Sequence, residues 1–167
     1  MIAECFLDTN VLVYAALGRF SAPEKYSRAK QIVADEDYST SAQVLQEFYV
    51  NAIRKSDKPL SPAKAAEWIE VVCRRPCQEI DNAVVMRGIE NSVTYNISYW
   101  DGAIIAAAER LGVSRLYSED LNHGQSYGSV QVVNPFRTHC RNRRKPYVHT
   151  RQQRHQDPGS GTDRRLR

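Results

Sequence analysis

Four acidic residues stand where carboxylates from distant parts of the chain can converge on a cation. Asp8 ends the short apolar run Ile2 to Leu7, Glu47 lies in an amphipathic stretch, Asp101 opens another, and Asp120 follows Val113 to Tyr117. Phosphodiester hydrolysis needs an activated water and charge stabilisation on the attacking and leaving oxygens, which divalent ions about 4 Å apart supply. Mg²⁺ and Mn²⁺ take oxygen ligands and keep several waters, so a few carboxylates suffice without histidine or thiolate. Like charges crowded together raise one another's pKa unless a cation is present, so the cluster and a metal imply each other.

Taken singly, each acid has a plainer explanation. Asp8 before Thr9-Asn10 could be a helix N-cap, and Asp101 a first-turn partner of the helix dipole. Glu47 could be a solvated helix residue, although Val44, Leu45, Phe48 and Tyr49 surround it and a half-buried acid without a partner is costly. Asp120, before Leu121-Asn122-His123-Gly124, could be a turn residue.

The elements that would carry these residues alternate. A buried strand is expected from Ile2 to Leu7, and a helix from Pro23 to Asp35, where Tyr26, Ala29, Ile32 and Val33 recur at three and four. Val44, Leu45, Phe48, Tyr49, Ala52 and Ile53 form a second stripe behind Thr40 and Gln43, spaced as a capping box. Ser61-Pro62 starts a third helix, and a fourth is expected from Asn82 to Tyr95. Ser98 to Leu111 is the strongest helical segment, stopped by Gly112. Strands are expected at Val113 to Tyr117 and Val130 to Val133. Such alternation predicts an α/β fold with a mostly parallel sheet covered by helices on both faces, its ligand site beyond the carboxyl ends of the strands.

With 167 residues, 42% hydrophobic and 25% charged, the chain has the size and composition of one globular domain. No apolar run spans a bilayer and the first residues lack a signal pattern, so a cytoplasmic protein is expected. The net charge of +4 hides an asymmetry: residues 137–167 hold ten Lys/Arg against Asp157 and Asp163, a balance of +8, leaving residues 1–136 at −4. The division is therefore an acidic folded unit over 1–136 and a basic tail over 137–167, rich in Arg, His, Gln, Pro and Gly and expected to be disordered. Arg141, Arg143, Arg144 and Lys145 in that tail could contact RNA phosphates or simply be solvated. Cys5, Cys73, Cys77 and Cys140 lack zinc spacing and are expected to be reduced, and His139, His149 and His155 lack the flanking pattern of a zinc site.

Four motifs in order, Phe6-Leu7-Asp8-Thr9-Asn10-Val11-Leu12, Gln46-Glu47-Phe48, Trp100-Asp101-Gly102-Ala103-Ile104 and Ser118-Glu119-Asp120-Leu121, resemble the PIN-domain nucleases, above all the VapC-type toxins of bacterial toxin–antitoxin pairs. The resemblance extends from Ile2 to Phe136 and includes the closing phrase Val133-Asn134-Pro135-Phe136. It implies a three-layer α/β/α sandwich and a metal-dependent endoribonuclease. By it Asp8, Glu47, Asp101 and Asp120 correspond to the metal-binding acids, and Thr9, Asn10 and Ser118 to the polar residues that support them. Mg²⁺ or Mn²⁺ is the implied cofactor and RNA the implied substrate. A cognate antitoxin that presents a basic side chain to the acids is an implied partner, and the acidic body suits it. The resemblance also implies a homodimer, for which Trp68, Tyr49 and Phe48 offer a surface, although aromatics at helical spacing equally suit a core.

Two rivals differ in kind. An aspartate-nucleophile phosphatase would use Asp8, but such enzymes require a second Asp two residues on, where this chain has Asn10. A non-catalytic nucleic-acid or protein-binding module on the same fold is the other, since fold alone does not establish activity.

Overall fold

The computed structural model describes residues 3–54 and 58–137. The basic cluster at 141–145, Cys140 and the rest of 138–167 lie outside the described residues.

Among the described residues there are six helices and six strands, beginning with β1 (Cys5–Leu7), α1 (Thr9–Ser21), α2 (Pro23–Asp35), β2 (Tyr38–Ser41), α3 (Ala42–Arg54) and α4 (Pro62–Val72). They continue with β3 (Cys77–Gln78), α5 (Asn82–Tyr95), α6 (Tyr99–Arg110), β4 (Arg115–Tyr117), β5 (Ser126–Tyr127) and β6 (Val130–Val133). The sheet runs β3-β2-β1-β4-β6-β5, parallel throughout except for the β5–β6 hairpin.

That order explains the layering. The chain steps one way along the sheet from β1 to β2 to β3, then reverses across to β4. Parallel crossovers are right-handed, so a reversal of direction moves the connecting helices to the opposite face. Helices α1 to α4 therefore cover one face and the α5–α6 pair the other, giving the three-layer α/β/α sandwich expected from the sequence. The reversal also opens a crevice between β1 and β4 at their carboxyl ends, the usual place for a ligand in an open α/β sheet.

Strands β1 and β2 are buried along their whole length, as in a sheet covered on both sides. Phe6, Leu7, Val11, Leu12, Val44, Phe48, Ile105, Leu116 and Val132 make the centre of the core. The last layer is tight because Gly102 and Gly88 let α6 lie against α5. A Cβ at Gly102 would overlap the Gly88 carbonyl oxygen, and one at Gly88 would crowd Ala103. Among the described residues no helix is long and apolar enough to cross a membrane.

Several expectations need correction. Helix α1 was not legible, because Val11 to Leu17 is almost continuously apolar and shows no 3.6-residue stripe. Strand β2 and the two-residue strands β3 and β5 were not expected either. Thr40 and Gln43 do not form a capping box: Ser41 Oγ accepts from Val44 N at 3.4 Å, and the Thr40 hydroxyl donates to the Leu7 carbonyl at 3.5 Å. Phe48 is buried and belongs to the core, with Trp68 tilted against it; Trp68 and Tyr49 are half-buried, packed on that core and still partly open.

Candidate active site

Three element junctions and one helix supply the acids. β1 ends at Leu7, and Asp8 takes the N-cap of α1, its Oδ1 accepting from Thr9 N at 2.6 Å. Its other oxygen, Oδ2, accepts from Ser118 Oγ at 2.6 Å and from Asn10 Nδ2 at 3.0 Å. Ser118 follows β4 directly, and its Oγ accepts from Asp120 N at 3.2 Å, bending the loop so that Asp120 faces β1. Asn10 Nδ2 completes the arch with a bond to Asp120 Oδ2 at 3.2 Å.

Glu47 arrives from the second turn of α3. Its Oε2 accepts from Thr9 Oγ1 at 3.1 Å and its Oε1 from Gln43 Nε2 at 2.9 Å, one helical turn away. Gln43 also donates to the Trp100 carbonyl at 3.1 Å, tying α3 to the start of α6. There Ser98 caps the helix through Asp101 N at 3.1 Å and donates its hydroxyl to Asp101 Oδ2 at 2.7 Å. The cap reading of Asp8 and the first-turn reading of Asp101 are thus both correct as local structure, and neither excludes a further role.

Asp8, Glu47, Asp101 and Asp120 line one open pocket of about 280 Å³, together with Thr9, Asn10 and other residues. Asp8 is 5% exposed, and burial pushes its carboxyl up to about 7 despite bonds from Ser118 and Thr9 that pull it down. The charges of Asp120 and Glu47 add to the rise, so these acids feel one another. Among the described residues none of the four is in an ion pair, whereas their neighbour Glu119 is held by Lys25 and by the Tyr14 hydroxyl.

The donors present suit a hard divalent ion: carboxylate oxygens and amide or hydroxyl groups, with no imidazole or thiolate. One further observation agrees. Asn10 Oδ1 is a buried acceptor with no partner among the described residues, although its amide nitrogen bridges two acids. Turning the amide over would set that oxygen against two carboxylates, so the orientation is electrostatically fixed and the oxygen stays unsatisfied. In the rotamers present, however, no three His, Cys, Asp or Glu side chains among the described residues stand close enough to enclose an ion. Asp101 is turned to its own cap and Glu47 to Thr9 and Gln43.

A family profile described as the PIN domain matches residues 5–125, nearly the whole of this architecture. The chain belongs to the PIN domain family. Several solved structures share its fold at low identity. VapC20 of Mycobacterium tuberculosis, described as a sarcin-ricin-loop-cleaving toxin, is 19% identical over 68% of this chain and 88% of its own, with a TM-score of 0.56. A toxin–antitoxin complex from Klebsiella pneumoniae is 18% identical over 78% and 97%, with a TM-score of 0.58. FitAB bound to a DNA fragment is 18% identical over 81% and 97%, also at 0.58. No curated protein matches the sequence significantly. At such identities the structural likeness speaks for the fold.

Of the seven residues singled out from the sequence, Asp8, Thr9, Asn10, Ser118, Glu47 and Asp120 form one connected hydrogen-bonded set, and Asp101 lines the same pocket from its own cap. Gln43 figures in the sequence only as a capping residue, and its bond to Glu47 was missed although the i, i+4 spacing is a usable signal. The Lys25, Tyr14 and Glu119 cluster had no sequence signal, because it joins residues 94 and 105 positions apart.

Proposed function

We propose that this PIN-domain protein is a Mg²⁺- or Mn²⁺-dependent endoribonuclease acting as the toxin of a toxin–antitoxin pair, with residues 1–136 as its nuclease unit. The observation that carries the reading is the gathering of Asp8, Glu47, Asp101 and Asp120 around one pocket at the sheet's switch point with no ion pair to a cationic side chain among the described residues. Bound divalent ions would supply the Lewis-acid charge stabilisation and water activation that phosphodiester hydrolysis requires.

The protein's own part is positional. Asp8, fixed by three donors, offers the least mobile carboxylate, and Asp120 is held opposite it by Asn10 and Ser118. Glu47 and Asp101 enter from α3 and α6, where a rotation away from Thr9 and Ser98 would turn their oxygens into the pocket. The N-terminus of α1, which Asp8 caps, adds partial positive charge that lessens the repulsion among the acids.

Support for RNA and for an antitoxin comes from the relatives' own descriptions: VapC20 is described as a sarcin-ricin-loop-cleaving toxin, and several structural neighbours are toxin–antitoxin assemblies, some on DNA. An antitoxin presenting an Arg or Lys to the acids would supply the neutralising charge that the free site lacks.

The test is to incubate purified protein with RNA and Mg²⁺ or Mn²⁺, beside Asp8→Asn and a chelator control. Cleavage by the wild type alone supports the reading, and equal cleavage in all three points to a contaminant and removes it. Coexpression with the small gene adjoining its own should relieve growth arrest if that gene encodes the antitoxin.

A further inference from the structure

Beside the acids lies a second concavity, of about 430 Å³, lined by Gln43, Gln46, Glu47, Val50, Asn51 and Trp100. It shares Glu47, Asn51 and Trp100 with the acid pocket, so whatever occupies one is in reach of the other. Its lining contrasts with the neighbour's: Glu47 is its one charged residue, and neutral amides and an indole make up most of the rest.

Trp100 is 61% exposed, an uncommon state for so large an apolar ring. Its backbone is anchored and its ring is braced on one side. The backbone is held by Gln43 through the Trp100 carbonyl at 3.1 Å, and Tyr99 braces the ring edge-on with centroids 5.3 Å apart. Tyr99 is its only ring contact among the described residues, and the cations stacked on aromatics elsewhere sit over other rings. The side-chain amides of Gln46 and Asn51 make no hydrogen bond among the described residues, so each keeps a donor and an acceptor available.

An exposed aromatic face flanked by unused amides, next to the proposed phosphodiester-cutting site, matches the recognition of an unpaired base: stacking on the ring and hydrogen bonds along the base edge. Charge points the same way. With residues 1–136 at −4, the folded unit's net charge does not favour a nucleic-acid strand, whereas stacking does not depend on charge. We propose that Trp100, Gln46 and Asn51 form a subsite for one unpaired nucleobase adjoining the scissile phosphate, Trp100 as the stacking platform and the two amides as readers of the base edge. The proposal rests on the nuclease reading above, and it makes a single-stranded or looped RNA the substrate class.

The experiment measures binding of a labelled single-stranded RNA oligomer, with Ca²⁺ present to neutralise the carboxylates and the oligomer checked for cutting. Wild type, Trp100→Phe and Trp100→Ala are compared, with circular dichroism as the folding control. Trp100→Ala should bind roughly 5- to 150-fold more weakly, the cost of one lost stacked base, with an unchanged salt slope, and Trp100→Phe should recover most of the loss. Tryptophan fluorescence should be quenched by the oligomer in wild type and not in Trp100→Phe, where Trp68 alone remains. Gln46→Ala and Asn51→Ala should alter which base stands beside the cut in sequenced products. Equal affinity of Trp100→Ala and wild type, undetectable binding by wild type, or equal binding of a perfect duplex would each overturn the subsite. Trp100-dependent binding without any cleavage in Mg²⁺ or Mn²⁺ would keep the subsite and remove the nuclease reading. Cleavage with Trp100-independent affinity and cut sites would do the reverse.

Discussion

Ser118 and Asp8, 110 positions apart in sequence, are joined by a 2.6 Å hydrogen bond from the serine hydroxyl to Asp8 Oδ2. That bond crosses the crevice between β1 and β4, and the same hydroxyl accepts from the backbone of Asp120. One side chain thereby sets the positions of two acids.

Replacing Ser118 with alanine removes both bonds while leaving the fold's apolar core intact. Cleavage under saturating Mg²⁺ should fall roughly 10- to 100-fold, the usual cost of losing a group that orients a ligand. Initial rates measured beside an unchanged circular dichroism spectrum check this. A rate within error of wild type would separate Ser118 from the chemistry.

Asp8 also ties stability to pH. Its carboxyl rises from 3.8 to about 7 on folding, so between these values the unfolded chain releases a proton that the folded chain retains. In chelator, stability due to this group is full below the window, declines as pH rises through it, and stays low above. Asp8→Asn cannot ionise, so well above the window its melting temperature should exceed that of the wild type, and the advantage should vanish in acid. Parallel thermal melts across pH measure it, and identical pH profiles for the two proteins would contradict it.

The α5–α6 seam makes a separate claim. Gly102→Ala places a methyl against the Gly88 carbonyl oxygen with no flexible side chain to yield, so α6 must shift. A loss of about 1–3 kcal/mol is expected from such overpacking, read as a lower denaturant midpoint. Because Trp100 and Asp101 ride on the same helix, cleavage should suffer even where the variant remains folded.

The thiols should differ sharply in reactivity. Burial, and next the charge of Glu36, pushes the Cys5 thiol up to about 12, and burial raises Cys77 as well, whereas Cys73 is exposed. Among the described cysteines, peptide mapping after brief alkylation of native protein should find Cys73 modified first, Cys77 later and Cys5 last. Early labelling of Cys5 would mean that β1 opens readily.

Much of this arrangement was legible before any coordinates. The amphipathic stripes of α2 and α3, Ser61-Pro62 before α4 and Ser98 before α6 are local signals, and each stands where it was expected. Gly112, with φ 72°, stops α6 as a left-handed residue should. What stayed hidden was non-local. Strand β2, Tyr-Ser-Thr-Ser, has no apolar alternation and exists because β1 and β3 pair with it. The four acids could be grouped by their motifs, yet the hydroxyl and amide bonds that orient them depend on which strand ends the crossovers make adjacent.

The two edge strands, β3 and β5, are only two residues long each. So short an edge leaves little unpaired backbone for another chain to extend, which guards against runaway sheet-to-sheet aggregation. Assembly between copies, or with a partner, is thereby steered to side-chain surfaces on the helices, where affinity can be adjusted one residue at a time without reshaping the crevice between β1 and β4.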